Sequence, residues 1–324
     1  MTVPEGGRAT AADAPARTRS HHDGTVAAMG DDGNRVGPLG GFTRRRLLVG
    51  GMALGVVGVA ASCGLFDDDG PERIAYGNHP SQFSELWRPS GPSPWPVVVM
   101  IHGGSWGEST DCTFMHHVAR DLANHGVAVW NIEYRRLGQR GGGWPGTLTD
   151  VSAAIDDLVG RADEVQVDPD RLVLLGHSAG GQLALWAGAG DGLTPGSPVR
   201  APRSTPRAVV ALAPVADLAR CATEGLAEGS CAAFLGGMPD QVPQRYAVAS
   251  PQQRLPLGVP QRLFHGTVDD VVPLDYSRAY VSAAQAAGDD AALTEQADAN
   301  HFTVLQPASP AWGQVRATID LLLA

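Results

Sequence analysis

Leu172-Val173-Leu174-Leu175-Gly176-His177-Ser178-Ala179-Gly180-Gly181-Gln182-Leu183 is the stretch on which the reading of the fold turns. Four apolar residues in a row read as a strand buried on both faces, as in a parallel sheet. The segment from Ala179 to Ala189 has helical character. Between them lies Gly176-His177-Ser178-Ala179-Gly180, a G-x-S-x-G turn. A turn this tight leaves no room for side chains at its two glycines, and it lifts the serine hydroxyl above the sheet. The helix that starts there favours negative charge developing at its N-terminus. Strand, turn and helix in that order make Ser178 the candidate nucleophile.

The same texture extends in both directions. Val97–Ile101 and Val127–Ile132 are further buried apolar runs, and Ala208–Ala213, Leu263–Phe264 and Ala292–Ala297 mark later strands. Helical spacing occupies Phe114–Asn124, Leu148–Val159 and Trp312–Leu323. Strands alternating with helices predict an α/β, doubly wound, mostly parallel sheet with helices on both faces. Arg73–Tyr76 and Phe83–Trp87 alternate as an antiparallel edge hairpin would. Ala216–Gln253 breaks the alternation and predicts a small cap excursion over the site.

A serine nucleophile needs a base, and the base needs an orienting carboxylate. Only His265 and His301 follow Ser178. His265 closes a strand, whereas His301 sits between the last strand and the closing helix and is the expected base. In His265-Gly266-Thr267-Val268-Asp269-Asp270-Val271-Val272-Pro273, Asp269 is the expected acid, with Asp270 as the competing assignment. His102-Gly103-Gly104-Ser105-Trp106 follows the strand at Val97–Ile101. A glycine pair lets backbone amides turn inward, so Gly104 or Ser105, together with Ala179, are the expected oxyanion donors. His102 is read as a brace for this loop. Trp106 and His177 are the expected pocket residues, and Trp106 has a second reading as a packed core aromatic.

His102–Trp106, Gly176–Gly180, His265–Pro273 and Asn300-His301-Phe302, with Glu133-Tyr134-Arg135 and Gly143–Gly146, together resemble the α/β-hydrolase superfamily. The H-G-G-x-W form of the first motif resembles the branch of small carboxylesterases and kynurenine formamidases, not the triple-glycine lipase group. The resemblance spans Arg73 to Ala324. It implies hydrolysis of an ester or amide through an acyl-enzyme, without a cofactor, and structural roles for Tyr134 and Asp150. Competing readings are an arylformamidase or peptidase-like amidase on the same triad, and a surface binding protein that has lost catalysis.

The first part of the chain differs. Residues 1–42 have few large apolar side chains and are expected to be disordered. Arg44-Arg45-Arg46 precedes an uncharged Gly/Ala-rich run through Ser62 that falls short of the ~20 residues of a membrane span. This resembles a twin-arginine export signal, with Met29 as a candidate alternative start. Val59-Ala60-Ala61-Ser62-Cys63 resembles a bacterial lipobox with Cys63 lipidated; ordinary cleavage near Ala61 is the other reading. The expected organisation is a leader over 1–63, a tether over 64–71 and a hydrolase domain over 72–324. The product is expected to be secreted or held at the cell envelope, touching membrane only through its signal or lipid.

Four cysteines occur, without a CxxC pair or an HExxH motif, so neither a structural zinc site nor a zincin is expected. Cys221 and Cys231 are the expected disulfide, and Cys112 the unpaired, partly buried thiol. The net charge of −10 and the lack of a basic patch exclude nucleic acid as a partner.

Overall fold

A computed structural model of the chain describes residues 70–190 and 197–324. The expected leader, Cys63 and nearly all of the 64–71 tether lie outside the described residues. The elements run β1 (Glu72–Ala75), β2 (Phe83–Trp87), β3 (Trp95–Ile101), α1 (His116–Asn124), β4 (Ala128–Ile132), α2 (Gly146–Gly160), α3 (Ala162–Val165), β5 (Val167–His177) and α4 (Ala179–Gly188). There follow β6 (Ala208–Leu212), α5 (Leu218–Glu224), α6 (Ser230–Leu235), α7 (Pro243–Ala249), β7 (Gln261–Gly266), α8 (Leu274–Ala286), β8 (Ala291–Gln296) and α9 (Pro310–Leu323).

The sheet has eight strands in the order β1-β2-β4-β3-β5-β6-β7-β8. From β4 to β8 all neighbours are parallel. Only β2 pairs antiparallel, with β1 and with β4. The unbroken apolar runs follow from this layering. Val97, Val99 and Ile101 of β3 share a core with Leu148 and Ile155 of α2, Leu183 and Trp186 of α4, and Tyr280 of α8. Val98 and Met100 face the other core, with Val118 and Leu122 of α1 and Trp312 and Ile319 of α9. Successive strand residues point to opposite faces, so a strand covered on both sides must be apolar at every position.

The interruption between β6 and β7 forms α5, α6 and α7, packed on the α4 side of the sheet through Phe234, Leu235 and Tyr246. The disulfide Cys221–Cys231 ties α5 to α6. Two differences from the sequence reading have clear causes. β5 begins at Val167, five residues before its apolar run, because Trp95 of β3 pairs with Val167 across a register shift. The sequence shows no clear period over α8, because only one face of it is buried and the rest is mostly small or polar, with Leu274 the one large apolar residue outside that face. Among the described residues no helix is long and apolar enough to cross a membrane.

Candidate active site

Ser178 occupies the turn between β5 and α4 with φ 56° and ψ −120°, a conformation that costs a non-glycine residue on the order of 1–3 kcal/mol. Crowding fixes it there. A Cβ on Gly176 would lie 2.0 Å from the Gly180 carbonyl oxygen, and a Cβ on Gly180 would lie 2.1 Å from that of Ile101. The Ser178 amide donates to the Leu212 carbonyl at 2.8 Å, which ties the turn to β6. Ser178 itself is 7 % exposed.

The loop after β3 lies beside it. Gly104, Ser105 and Trp106 all have positive φ, at 102°, 51° and 57°. No acceptor among the described residues takes the N–H of Gly104 or of Ser105. The N–H of Ala179, the first residue of α4, has no intrahelical partner by construction. His102 braces this loop. Its ring stacks on Tyr134 at 4.3 Å, and its Nε2 lies 3.3 Å from Glu133 Oε1. The Tyr134 hydroxyl donates to the His102 carbonyl at 2.9 Å. Burial raises the Glu133 carboxyl, but hydrogen bonding and charge from His102, with Arg136 and the Cys112 amide, outweigh it and hold the group below the usual range.

Asp269 and His301 come from the loops after β7 and β8. His301 Nδ1 donates to Asp269 Oδ2 at 2.7 Å. Gly266 permits this approach, since a Cβ there would lie 2.0 Å from the Ala299 carbonyl oxygen. The Val271 and Val272 amides donate to Asp269 Oδ1 at 2.9 and 2.8 Å. His265 Nε2 lies 3.2 Å from Oδ2, while its Nδ1 bonds the Ser277 hydroxyl at 2.7 Å. Burial pushes the Asp269 carboxyl up, but the hydrogen bonds from His265 and His301, the His301 charge and the Val272 amide together hold it well below the carboxylate range. Asp270 is exposed and takes no part.

Ser178, His301, Gly104 and Ser105 line one cleft of about 150 Å³. Its remaining wall is Thr110, Phe114, His177, Val271 and Phe302. The His177 Nε2 donates to the His301 carbonyl at 2.8 Å. Burial, then the neighbouring His301, push the His177 imidazole down to about 3, so the cleft wall carries a neutral ring there. Trp106 corrects the pocket expectation: it is 1 % exposed and does not line the cleft. Its Nε1 donates to Gln182 Oε1 at 3.0 Å and its ring stacks on Phe234 at 4.8 Å, so it is a core aromatic joining the loop after β3 to the cap. Thr110 and Phe114 carry no motif, and Val271 and Phe302 lie inside the acid and histidine motifs without any signal that their side chains face the cleft.

This sheet, with a serine at the β5–α4 turn and a His–Asp pair at the ends of β7 and β8, defines an α/β-hydrolase fold. The BD-FAE family model matches residues 86–283, and the chain belongs to that family. It is 28% identical over 223 residues, 64% of its length, to Esterase LipC of Mycobacterium tuberculosis. The chain spans about half, 53%, of that relative's length. A carbohydrate esterase from gut microbiota superposes with a TM-score of 0.67 at 20% identity, covering 79% of this chain and 99% of that one. The Thermogutta terrifontis esterase Est2 with propionate bound gives a TM-score of 0.64 at 23% identity, over 78% of this chain and 93% of that one. These two are likenesses of fold.

The Asp269 environment sets a pH dependence. A carboxylate whose folded value is depressed contributes stability that is fully present above its unfolded value, roughly pH 4, and is lost as pH falls through the folded value. Asp269→Asn is therefore expected to lower the unfolding midpoint at pH 7, with the gap to the parent protein shrinking as the buffer is taken below about pH 4. Thermal unfolding followed from pH 7 to pH 2.5 checks this; a gap independent of pH would mean that the carboxylate is not the stabilising form.

Proposed function

We propose that this protein is an exported serine hydrolase that cleaves carboxylic esters through an acyl-enzyme. The observation that carries the reading is the 2.7 Å Nδ1–Oδ2 bond from His301, which lines the same cleft as Ser178, to Asp269 behind it. With Nδ1 donating to the carboxylate, His301 keeps Nε2 as the acceptor a nucleophile requires. Ser178 Oγ attacks the ester carbonyl while its proton passes to His301 Nε2. The amides of Gly104 or Ser105 and of Ala179 hold the oxyanion. His301 returns the proton to the leaving alcohol, and a water molecule repeats the sequence to release the acid. Asp269 stays ionised and orients the imidazolium.

The cleft is suited to small acyl groups, since about 150 Å³ holds a group the size of benzene. A wider cleft of about 610 Å³ shares Gly104, Ser105 and Thr110 with it and continues past Ser109, Glu228 and Ser230. Its polar lining suits a hydroxylated remainder of the substrate. The names of the relatives support ester chemistry: one is called an esterase and one structural neighbour a carbohydrate esterase. Arg44–Arg46 with the following apolar run supports export, and Cys63 is the proposed lipid-bearing residue. The Cys221–Cys231 disulfide supports an oxidising destination.

Two experiments test these readings. The purified protein is expected to hydrolyse p-nitrophenyl acetate and butyrate faster than octanoate, and Ser178→Ala to lose at least ~10³-fold in kcat/KM with its unfolding midpoint retained. Turnover confined to amides or formamides would move the substrate class. Undiminished turnover by the variant would remove Ser178 from the mechanism. For the leader, cells fed a labelled fatty acid are expected to label the protein but not Cys63→Ala; labelling of neither would leave ordinary cleavage near Ala61 as the account.

A further inference from the structure

A second cluster of chemically competent side chains lies behind the wall of the cleft. Glu85 of β2, Cys112 in the 3-10 turn Cys112–Met115, and His116 at the start of α1 bring one carboxylate oxygen, one sulfur and one ring nitrogen within 4.8 Å of one another. Glu85 Oε2 is the hub. His116 Nε2 bonds it at 2.7 Å and Asn131 Nδ2 donates to it at 3.0 Å. Asn131 Nδ2 also donates to the Cys112 carbonyl at 2.9 Å, so it clamps two of the three residues. Its Oδ1 is buried with no partner among the described residues. Glu85 and Cys112 are buried, whereas the His116 side chain is 34% exposed, which leaves an entry from solvent.

We infer that Glu85, Cys112 and His116 form a binding site for a divalent zinc-type metal ion, separate from the hydrolytic residues. Three protein ligands of O, S and N type suit Zn²⁺, with water in the fourth position. One thiolate and one carboxylate carry two negative charges and neutralise a dication. On binding, the Cys112 S–H bond breaks, its proton leaves to solvent, and the Zn–S bond forms. The His116 proton moves from Nε2 to Nδ1, and the Nε2 lone pair goes to the metal. The Glu85 and Glu133 carboxylates beside Cys112 favour a cation; Glu133 Oε2 accepts from the Cys112 amide at 3.0 Å. A sequence search for paired-cysteine or HExxH spacing misses the set because its ligands come from a strand, a turn and a helix start.

The site bears on the cleft through one residue. Phe114 lies between Cys112 and His116, lines the cleft, and packs against His177 at 5.9 Å and Phe302 at 6.3 Å between ring centroids. An ion bridging the turn and the helix start would fix the Phe114 backbone.

The test is titration of the full chain with Co²⁺ as the spectroscopic substitute, followed by Zn²⁺. The expected result is saturation at one ion per chain with a sulfur-to-cobalt charge-transfer band, displaced by Zn²⁺. His116→Ala should weaken Co²⁺ at least about tenfold, and Cys112→Ser should abolish the band. Zn²⁺ at 100 times its Kd should raise the unfolding free energy of the parent protein by about 2.7 kcal/mol. No charge-transfer band, a band that survives Cys112→Ser, or an isotherm unchanged in His116→Ala would each overturn the site. Should Cys112→Ser fail to fold by circular dichroism, the surface variant His116→Ala decides alone. None of these readouts depends on ester hydrolysis, so this inference and the proposed activity fail separately.

Discussion

The end of the sheet that carries Ser178 is arranged around the crowding between β3, β5 and the first turn of α4. The Ile101 and His102 carbonyls approach Gly180 so closely that a Cβ there would sit 2.1 and 2.4 Å from them. Gly176 faces the Gly180 carbonyl with the same lack of room. The backbone can only pass by turning sharply, and the residue at the apex is forced to positive φ. That residue is Ser178, so its hydroxyl is presented by the scaffold, not chosen from rotamers of a flexible loop. Any substitution at either glycine would have to move backbone, not a side-chain end.

A second constraint carries this geometry outward. Glu133 accepts from the Tyr134 and Cys112 amides at 2.8 and 3.0 Å and lies 3.3 Å from His102. One buried carboxylate thus joins the end of β4, the loop after β3 and the turn before α1. Trp106 extends the same loop into the cap through Gln182, whose amide in turn donates to the Ala249 carbonyl at 2.9 Å. Buried polar groups of this kind are costly unless every partner is present. The amides of Gly104 and Ser105, proposed here as oxyanion donors, are therefore held by a network that spans several elements.

Much of this could be read from residue order. Uninterrupted apolar runs such as Val97–Ile101 announced strands covered on both faces, because each alternate residue meets a different helix layer. Gly176 and Gly180 were legible because each marks a place where a side chain cannot fit, and Gly104 because a glycine pair lets the backbone turn inward; the close approach at Gly266 was not. The pairing of Asp269 with His301 was legible from chain order, since a histidine base is expected to follow its nucleophile in this fold. Three further features were not. For Trp106 the sequence leaves pocket and core both open, because adjacency to the glycine pair does not reveal that its indole turns toward Gln182 and Phe234. α8 has too few large apolar residues for its period to show. Glu85, Cys112 and His116 are brought together only by the pairing of β2 with β4 and by the turn that precedes α1, which no local pattern encodes.

We propose that the scaffold makes Ser178 a nucleophile of unusual reactivity, and mass spectrometry after exposure to a fluorophosphonate probe is the test. One adduct per chain is expected, located on the peptide containing Ser178, absent from Ser178→Ala and formed at least ~10²-fold more slowly by His301→Ala. A folded protein that takes up no probe, or that is modified at another residue, would contradict it.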